Sequence, residues 1–195
     1  MKIHGKQLNL RDFEHQDLPI IEHWLHPDHE WHKFDGPYYP KAQPEQIPSH
    51  IERYAKRINA GNWDNPRGRL AIADGDDVII GMVTRYWISE ETNWTAIGIS
   101  IWNPEHWGKG YGYESLGMWC QYLFDAEPKF VRLDARTWSG NLGMMKLAEK
   151  LGFTQEARFR MARIVNGDYY DGLGYGILRD EWQARYPEGF VKSLR

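Results

Sequence analysis

Residues 103–114 read Asn103-Pro104-Glu105-His106-Trp107-Gly108-Lys109-Gly110-Tyr111-Gly112-Tyr113-Glu114. Before them, Trp94 to Trp102 has the β-branched and aromatic content of a strand, and Pro104 ends it because proline cannot donate to a ladder. After them, Leu116, Trp119, Cys120 and Leu123 fall on one face of a helix expected from about Gly112 to Asp125. Glycines at alternate positions between a strand and a helix let the backbone turn sharply and bring its N–H groups close to a ligand. The helix start adds uncapped donors and a positive dipole end. The combination suits a phosphate or pyrophosphate. Neither the GxGxxG spacing of a dinucleotide fold nor a Walker-type Gly-Lys-Ser/Thr is present. The same pattern also serves as a glycine-rich turn with no ligand.

Working outward, the chain divides into alternating elements. Gln7–Arg11 reads as a first strand. Asp17 caps a short helix with Pro19 in its first turn. Pro27, Pro37, Pro40 and Pro44 then impose a loop rich in His and aromatic residues. Ile47, Ile51, Tyr54, Ala55 and Ile58 predict a helix that Gly61 stops. Leu70–Ala73 and Val78–Ile88 form a hairpin across Asp74 to Asp77. Beyond the central helix, Phe130–Ala135 reads as a strand parallel to its predecessor, since a helix separates them. Asn141–Leu151 is a helix ended by Gly152, and Thr154–Ile164 with Tyr169–Leu178 is a hairpin about Asn166-Gly167. The order is β-α-α-β-β-β-α-β-α-β-β. It predicts one α+β domain over residues 1–195, with a mixed, mostly antiparallel sheet of about seven strands and helices on both faces.

Composition narrows the function. A net charge of −3 offers no basic footprint for nucleic acid. The single cysteine, Cys120, allows no internal disulfide and fits a reducing compartment. Neither a signal-type apolar stretch nor a membrane-span pattern is present, so a cytoplasmic location and no membrane partner are expected. His23, His26, His29 and His32 recur at every third position, but Pro27 interrupts any shared helix face, and no metal is expected.

Three stretches carry a resemblance: NPEHWGKGYGYESL (103–116), NLGMMKLAEKLGF (141–153) and NGDYYDGLGYGILRDEW (166–182). They resemble the GNAT superfamily of acetyltransferases, and within it the branch containing the RimJ/RimL ribosomal-protein alanine acetyltransferases and the bacterial polyamine acetyltransferases. The order of elements matches that fold throughout; residues 1–90 match in element order alone. The resemblance implies acetyl-CoA as co-substrate. Its pantetheine arm would extend the strand at Ile101 and Trp102. Its pyrophosphate would rest on the N–H groups of Trp107, Gly108, Lys109, Gly110, Tyr111, Gly112 and Tyr113, and Asn141 would approach the thiol end. Trp107 stands where the superfamily often has Arg or Gln, which matters little to a cradle built from backbone.

An alkylammonium has a pKa near 10 and must lose a proton before attacking a thioester. The groups that relatives place for this purpose are missing. Thr95-Ala96-Ile97-Gly98 lacks the usual Glu, Ala148 replaces a Tyr, Met144 replaces a Ser, and Arg163 stands where the ribosomal alanine enzymes have a carboxylate. Glu105, Glu114 and Ser100 remain as catalytic candidates, with Tyr111 and Tyr175 behind them. Glu114 equally serves the helix dipole, and Glu105 equally serves as a solvated loop charge. The N–H of Trp102 is a candidate oxyanion donor. The favoured mechanism is positioning, with water removing the proton. Residues 31–39 lie where GNAT folds keep substrate loops; Trp31, Asp35 and Tyr38 are expected to form an aromatic pocket for a cationic amine, or simply to cover the core.

The expected activity is acetyl transfer from acetyl-CoA to a primary amine by direct attack. The acceptor is a protein N-terminus or a small amine such as a polyamine or an aminoglycoside. The competing expectation is a catalytically silent acyl-CoA-binding module; a third is a nucleotide-binding protein using the same loop. A homodimer is a further expectation, through the edge that the terminal hairpin offers.

Overall fold

The computed structural model describes residues 1–194. Eight strands form one sheet: β1 (Lys2–His4), β2 (Asn9–Arg11), β3 (Arg69–Ala73), β4 (Ile79–Ser89), β5 (Trp94–Ile101), β6 (Arg132–Trp138), β7 (Thr154–Val165) and β8 (Asp168–Leu178). Their spatial order is β1-β2-β3-β4-β5-β6-β8-β7. Neighbours are antiparallel except β5 and β6, the parallel pair that the intervening helix predicts. The helices are α1 (Leu18–Leu25), α2 (Ile47–Ala60), α3 (Tyr111–Ala126), α4 (Leu142–Leu151), α5 (Arg179–Arg185) and α6 (Phe190–Ser193).

Two cores lie on opposite faces of the sheet. Leu116, Trp119, Cys120 and Leu123 of α3 bury against Val83 and Ile97. Ala148 and Leu151 of α4, Trp182 of α5 and Phe190 of α6 complete this layer. On the other face, Ile21 of α1 packs with Phe13, Ala71, Ile79 and Trp102, and Ile51, Tyr54 and Ile58 of α2 pack against them. Burial pushes the Cys120 thiol pKa far up, so it is an inert core residue.

The sheet has one strand more than its sequence predicts. Lys2–His4 is three residues long and shows no alternation, and only its pairing with β2 makes it a strand. Gln7 and Leu8 belong to the turn between β1 and β2, and β6 starts two residues later than expected and runs to Trp138. The chain after Leu178 forms α5 and α6, whose aromatic residues dock on α3: Gln121 Oε1 accepts from Trp182 Nε1 at 3.0 Å and from the Phe190 amide at 3.1 Å. Arg179 donates to the carbonyls of Phe124, Glu127 and Phe130 at 2.7 to 3.0 Å. It thereby satisfies acceptors that the end of α3 leaves open.

Where turns were legible, the backbone agrees. Asn166 and Gly167 have φ of 53° and 90°, as a tight hairpin turn requires. Gly61 ends α2 with φ of 59° and Gly152 ends α4 with φ of 100°.

The start of α1 rests on a buried ion pair. Arg11 donates to both oxygens of Asp17 at 2.8 Å, and both side chains are 2% exposed. Asp17 and Asp77 hold the Arg11 guanidinium charged against its own desolvation. Removing one partner of such a pair leaves a buried charge uncompensated. Asp17→Ala is therefore expected to cost about 3–5 kcal/mol of stability, read from the midpoint of urea unfolding.

Candidate active site

β5 and β6 are joined at Ala96–Asp134 and Ile97–Ala135 and then part, while β5 runs on to Ile101 and β6 to Trp138. On its other side β5 remains paired with β4 up to Ile101. The Trp102 amide donates to Ile80 O at 3.1 Å. Because antiparallel pairs alternate in hydrogen bonding, the even-numbered residues of β5 face β4. Ile99 and Ile101 therefore turn their N–H and C=O groups toward the gap. The Trp102 N–H, expected as an oxyanion donor, is already spent on β4; the amides of Ile99 and Ile101 are the ones the gap receives.

The glycine loop closes one end of this gap. Gly108 and Gly110 have φ of 74° and 87°, a region that costs an L-residue with a Cβ about 1–2 kcal/mol. A Cβ at either position would have open space around it, so these glycines serve backbone conformation rather than packing. Gly110 is the N-cap of α3 and provides no side-chain cap. Among the described residues, the N–H groups of Gly108 through Tyr113 meet no protein acceptor, and the ladder of α3 begins with the Glu114 amide donating to Gly110 O at 3.0 Å. A Cβ on Gly112 would stand 3.5 Å from Leu147 Cδ2 of α4 and 4.0 Å from Ile101 Cδ1, so the start of α3 lies beside both. Six successive free amides at a helix start, opening on a split between two strands, form an anion cradle.

Glu114 lies behind this cradle and is 2% exposed. Its Oε1 accepts from the amides of Lys6, Gln7 and Leu8 at 2.7, 2.7 and 3.0 Å, and Oε2 from Gln7 Nε2 at 3.3 Å. The carboxylate fastens the β1–β2 turn to the first turn of α3. Gly5 makes room for it, since a Cβ there would stand 2.3 Å from Oε1. Glu105 is exposed on the loop, in a 3₁₀ turn that Asn103 caps. Ser100 is half-buried on β5 opposite Met82, on the α1/α2 side of the sheet. Tyr175 is buried, with its hydroxyl 3.3 Å from Gln155 Oε1, and burial raises its pKa. Glu114, Glu105, Ser100 and Tyr175 thus occupy four different surroundings and form no acid–base pair with one another.

Trp107 and Asn141 both reach toward the loop before α2. The Trp107 indole donates to Ile101 O at 2.8 Å, and its ring meets Phe34 edge-on at 5.5 Å. Asn141 caps α4 by accepting from the Met144 amide at 2.9 Å, and its amide donates to Phe34 O at 3.1 Å. Trp138 Nε1 donates to the same carbonyl at 3.2 Å. Phe34 and Trp138 were not singled out from sequence. The one legible hint was Trp138, which directly precedes the Ser-Gly-Asn turn into α4.

The loop expected to receive substrate divides as it folds. Trp31 turns inward: it is 8% exposed, stacks on His32 and donates to Trp24 O at 2.8 Å. Asp35 and Tyr38 stay at the surface of the gap. Desolvation among the loop's rings raises the Asp35 pKa, against the opposing pull of Lys41. Desolvation likewise raises that of Tyr38, with Arg163 opposing.

With this geometry in place, the relatives are informative. The acetyltransferase (GNAT) domain family matches residues 7–154, three quarters of the chain, and the chain belongs to that family. It is 23% identical to the SPbeta prophage-derived uncharacterized N-acetyltransferase YokL of Bacillus subtilis (strain 168), over 93% of this chain and 96% of that one. It is 26% identical to the uncharacterized N-acetyltransferase YnaD of the same organism, over 93% and 99%. In three dimensions it is similar to the spermidine N-acetyltransferase from Vibrio cholerae solved with CoA and spermine. The TM-score is 0.72 at 22% identity, over 90% of this chain and 98% of that one. The protein is an acetyltransferase of GNAT type.

Loss of the Glu114 clamp frees three amides and loosens the start of α3. Glu114→Ala is expected to cost about 3 kcal/mol, given the worth of hydrogen bonds to a charged acceptor, and Glu114→Gln less. Denaturant unfolding of the two variants checks this ranking.

Proposed function

We propose that the protein transfers the acetyl group of acetyl-CoA to a primary amine, and that the reaction takes place in the gap between β5 and β6. The observation that carries this reading is the run of unpaired amides from Gly108 to Tyr113 beside the unpaired edge of β5. The cradle suits a diphosphate, and the edge at Ile99 and Ile101 suits the amide groups of a pantetheine arm. Trp107, already bonded to Ile101 O, then forms one wall of the channel. Lys109 is exposed and supplies charge near the phosphates.

Positioning is the main catalytic device. The acceptor nitrogen attacks the thioester carbonyl, the C–N bond forms as the C–S bond breaks, and CoA leaves as a thiolate that takes up a proton. A main-chain N–H of Ile99 or Ile101 is the donor available to the oxyanion. The ammonium proton passes to water. Glu114 is structural, and Asn141 braces the acceptor loop against α4. The silent-module alternative gives way to the enzyme reading on the family match.

The Asn-led helix Asn141–Leu151 and the Gly-x-Tyr-x-Asp pattern from Gly167 to Asp171 support placement in the RimJ/RimL-like branch. The acceptor, a protein N-terminus or a small amine, enters beside Asp35 and Tyr38. The exposed β7 edge, with Phe159 63% and Met161 62% exposed, is the surface for pairing of two copies. Among the described residues no helix is long and apolar enough to cross a membrane, and a cytoplasmic setting is part of the proposal.

Calorimetry with acetyl-CoA is expected to show binding. Gly110→Asp, which adds a strained residue and a negative charge to the cradle, is expected to weaken it at least about tenfold. Absence of heat from the unmodified protein would overturn the assignment. In steady-state assays of thiol release, kcat/KM is expected to climb with pH toward the pKa of the free amine, and Glu105→Gln and Ser100→Ala to remain within about threefold of the parent. Asp35 attracts an ammonium only while ionised. The acceptor KM is therefore expected to rise as pH falls through the raised Asp35 pKa, and Asp35→Asn to abolish that dependence.

A further inference from the structure

On the face of the sheet that carries Ser100, two guanidinium groups near the gap lack the carboxylate partners their neighbours possess. Arg132 is paired with Asp134 at 2.7 Å and Arg158 with Asp171 at 2.6 Å. Arg136 and Arg163 form no ion pair among the described residues. Arg136, exposed on β6, lies 5.7 Å from the centre of the Trp94 ring. Arg163 of β7 covers the Tyr38 ring at 4.5 Å, and its Nε is buried with no hydrogen-bond partner. A buried donor without an acceptor is costly, and a native structure tolerates it where a ligand completes it.

The backbone beneath them is bare. Gly172 and Gly174 of β8 stand directly opposite Trp138 and Arg136 of β6. A Cβ on Gly172 would lie 3.8 Å from Arg163 Nε, so the Arg163 side chain folds across Gly172 toward the β6 row. Arg163 thus lies over Gly172 and under the Tyr38 loop, which also meets Trp138 at the end of β6 through Phe34 O, whereas the Arg136 guanidinium turns toward Trp94 on the other side of β6. Asp35 belongs to the same loop as Tyr38, and Lys41 faces it.

We propose that the acceptor is a zwitterion: a short primary amine that also bears a carboxylate or phosphate. The anion is received by Arg163 while the nitrogen points into the gap. This inference rests on the acetyltransferase reading of that gap and names the acceptor class it takes. A planar guanidinium edge matches a carboxylate or phosphate in a bidentate fashion. A polyamine, with cationic nitrogen at both ends, meets like charge there.

The test uses the full chain at saturating acetyl-CoA. It compares kcat/KM for 4-aminobutyrate and O-phosphoethanolamine with that for butylamine, ethanolamine and putrescine. At least one anionic amine is expected to exceed its uncharged counterpart by about tenfold or more, the scale of one charge-assisted hydrogen bond. Arg163→Gln is expected to raise the KM for that amine about tenfold, leaving acetyl-CoA affinity and the melting temperature unchanged. Arg163→Glu is expected to turn the preference toward putrescine. If the unmodified protein favours butylamine or putrescine, or Arg163→Gln leaves the ratio of anionic to uncharged amines unaltered, the inference fails and acetyl transfer stands. If acetyl-CoA binds and no amine of any charge is acetylated, the transferase reading fails and this one with it.

Discussion

Parallel strands share hydrogen bonds only while they stay about 4.8 Å apart, and β5 and β6 keep that distance at Ala96–Asp134 and Ile97–Ala135 before separating. Each strand then follows a different neighbour. β5 stays with β4 as far as Ile101, and β6 stays with β8 as far as Trp138. The separation removes the acceptors and donors that Ile99 and Ile101 would otherwise meet. It also widens the space under the start of α3, so an unpaired strand edge and an unpaired helix start face the same cavity. Both are polar backbone that must be satisfied when buried, and a ligand with phosphate at one end and amides along its length satisfies both.

Two sets of anchors keep the gap open in one shape. Glu114 ties α3 to the amino-terminal turn, and Arg179 ties the other end of α3 to the segment leading into β6. The helix is thereby held at both termini by charged groups bonded to backbone. Phe34 O does the corresponding work across the mouth, receiving Trp138 from β6 and Asn141 from α4. Residues from four separate segments therefore brace a cavity that none of them builds alone. The loop before α2 is held by the Phe34 carbonyl, which leaves the Asp35 side chain exposed.

The absence of a positioned acid–base pair fits this economy. The leaving thiol is acidic enough to depart without help, so the gain available from orientation and a prearranged N–H dipole exceeds that from a weak general base. Arg163 stands where the resemblance implied a carboxylate, and under the proposed acceptor class its reversed sign is what selects among amines.

Local sequence determined the periodic and punctuated elements. The spacing of Leu116, Trp119 and Leu123, the stops at Gly61 and Gly152, the Asn166-Gly167 hairpin and the glycine loop each act over a few residues, and each was legible without a fold. The parallel setting of β6 followed as well, since a helix intervenes. What sequence left open were pairings over long separations. Glu114 meets Lys6 across 108 positions and Asn141 meets Phe34 across 107, and no local pattern records such distances. Trp31 and Asp35 come from one loop, yet one is core and the other rim, because only packing against α1 decides which way an aromatic turns. The tertiary structure alone turned the Trp102 amide to β4 and left those of Ile99 and Ile101 unpaired, since hydrogen-bond phase in a ladder is set by register between strands and not by the residues of either one.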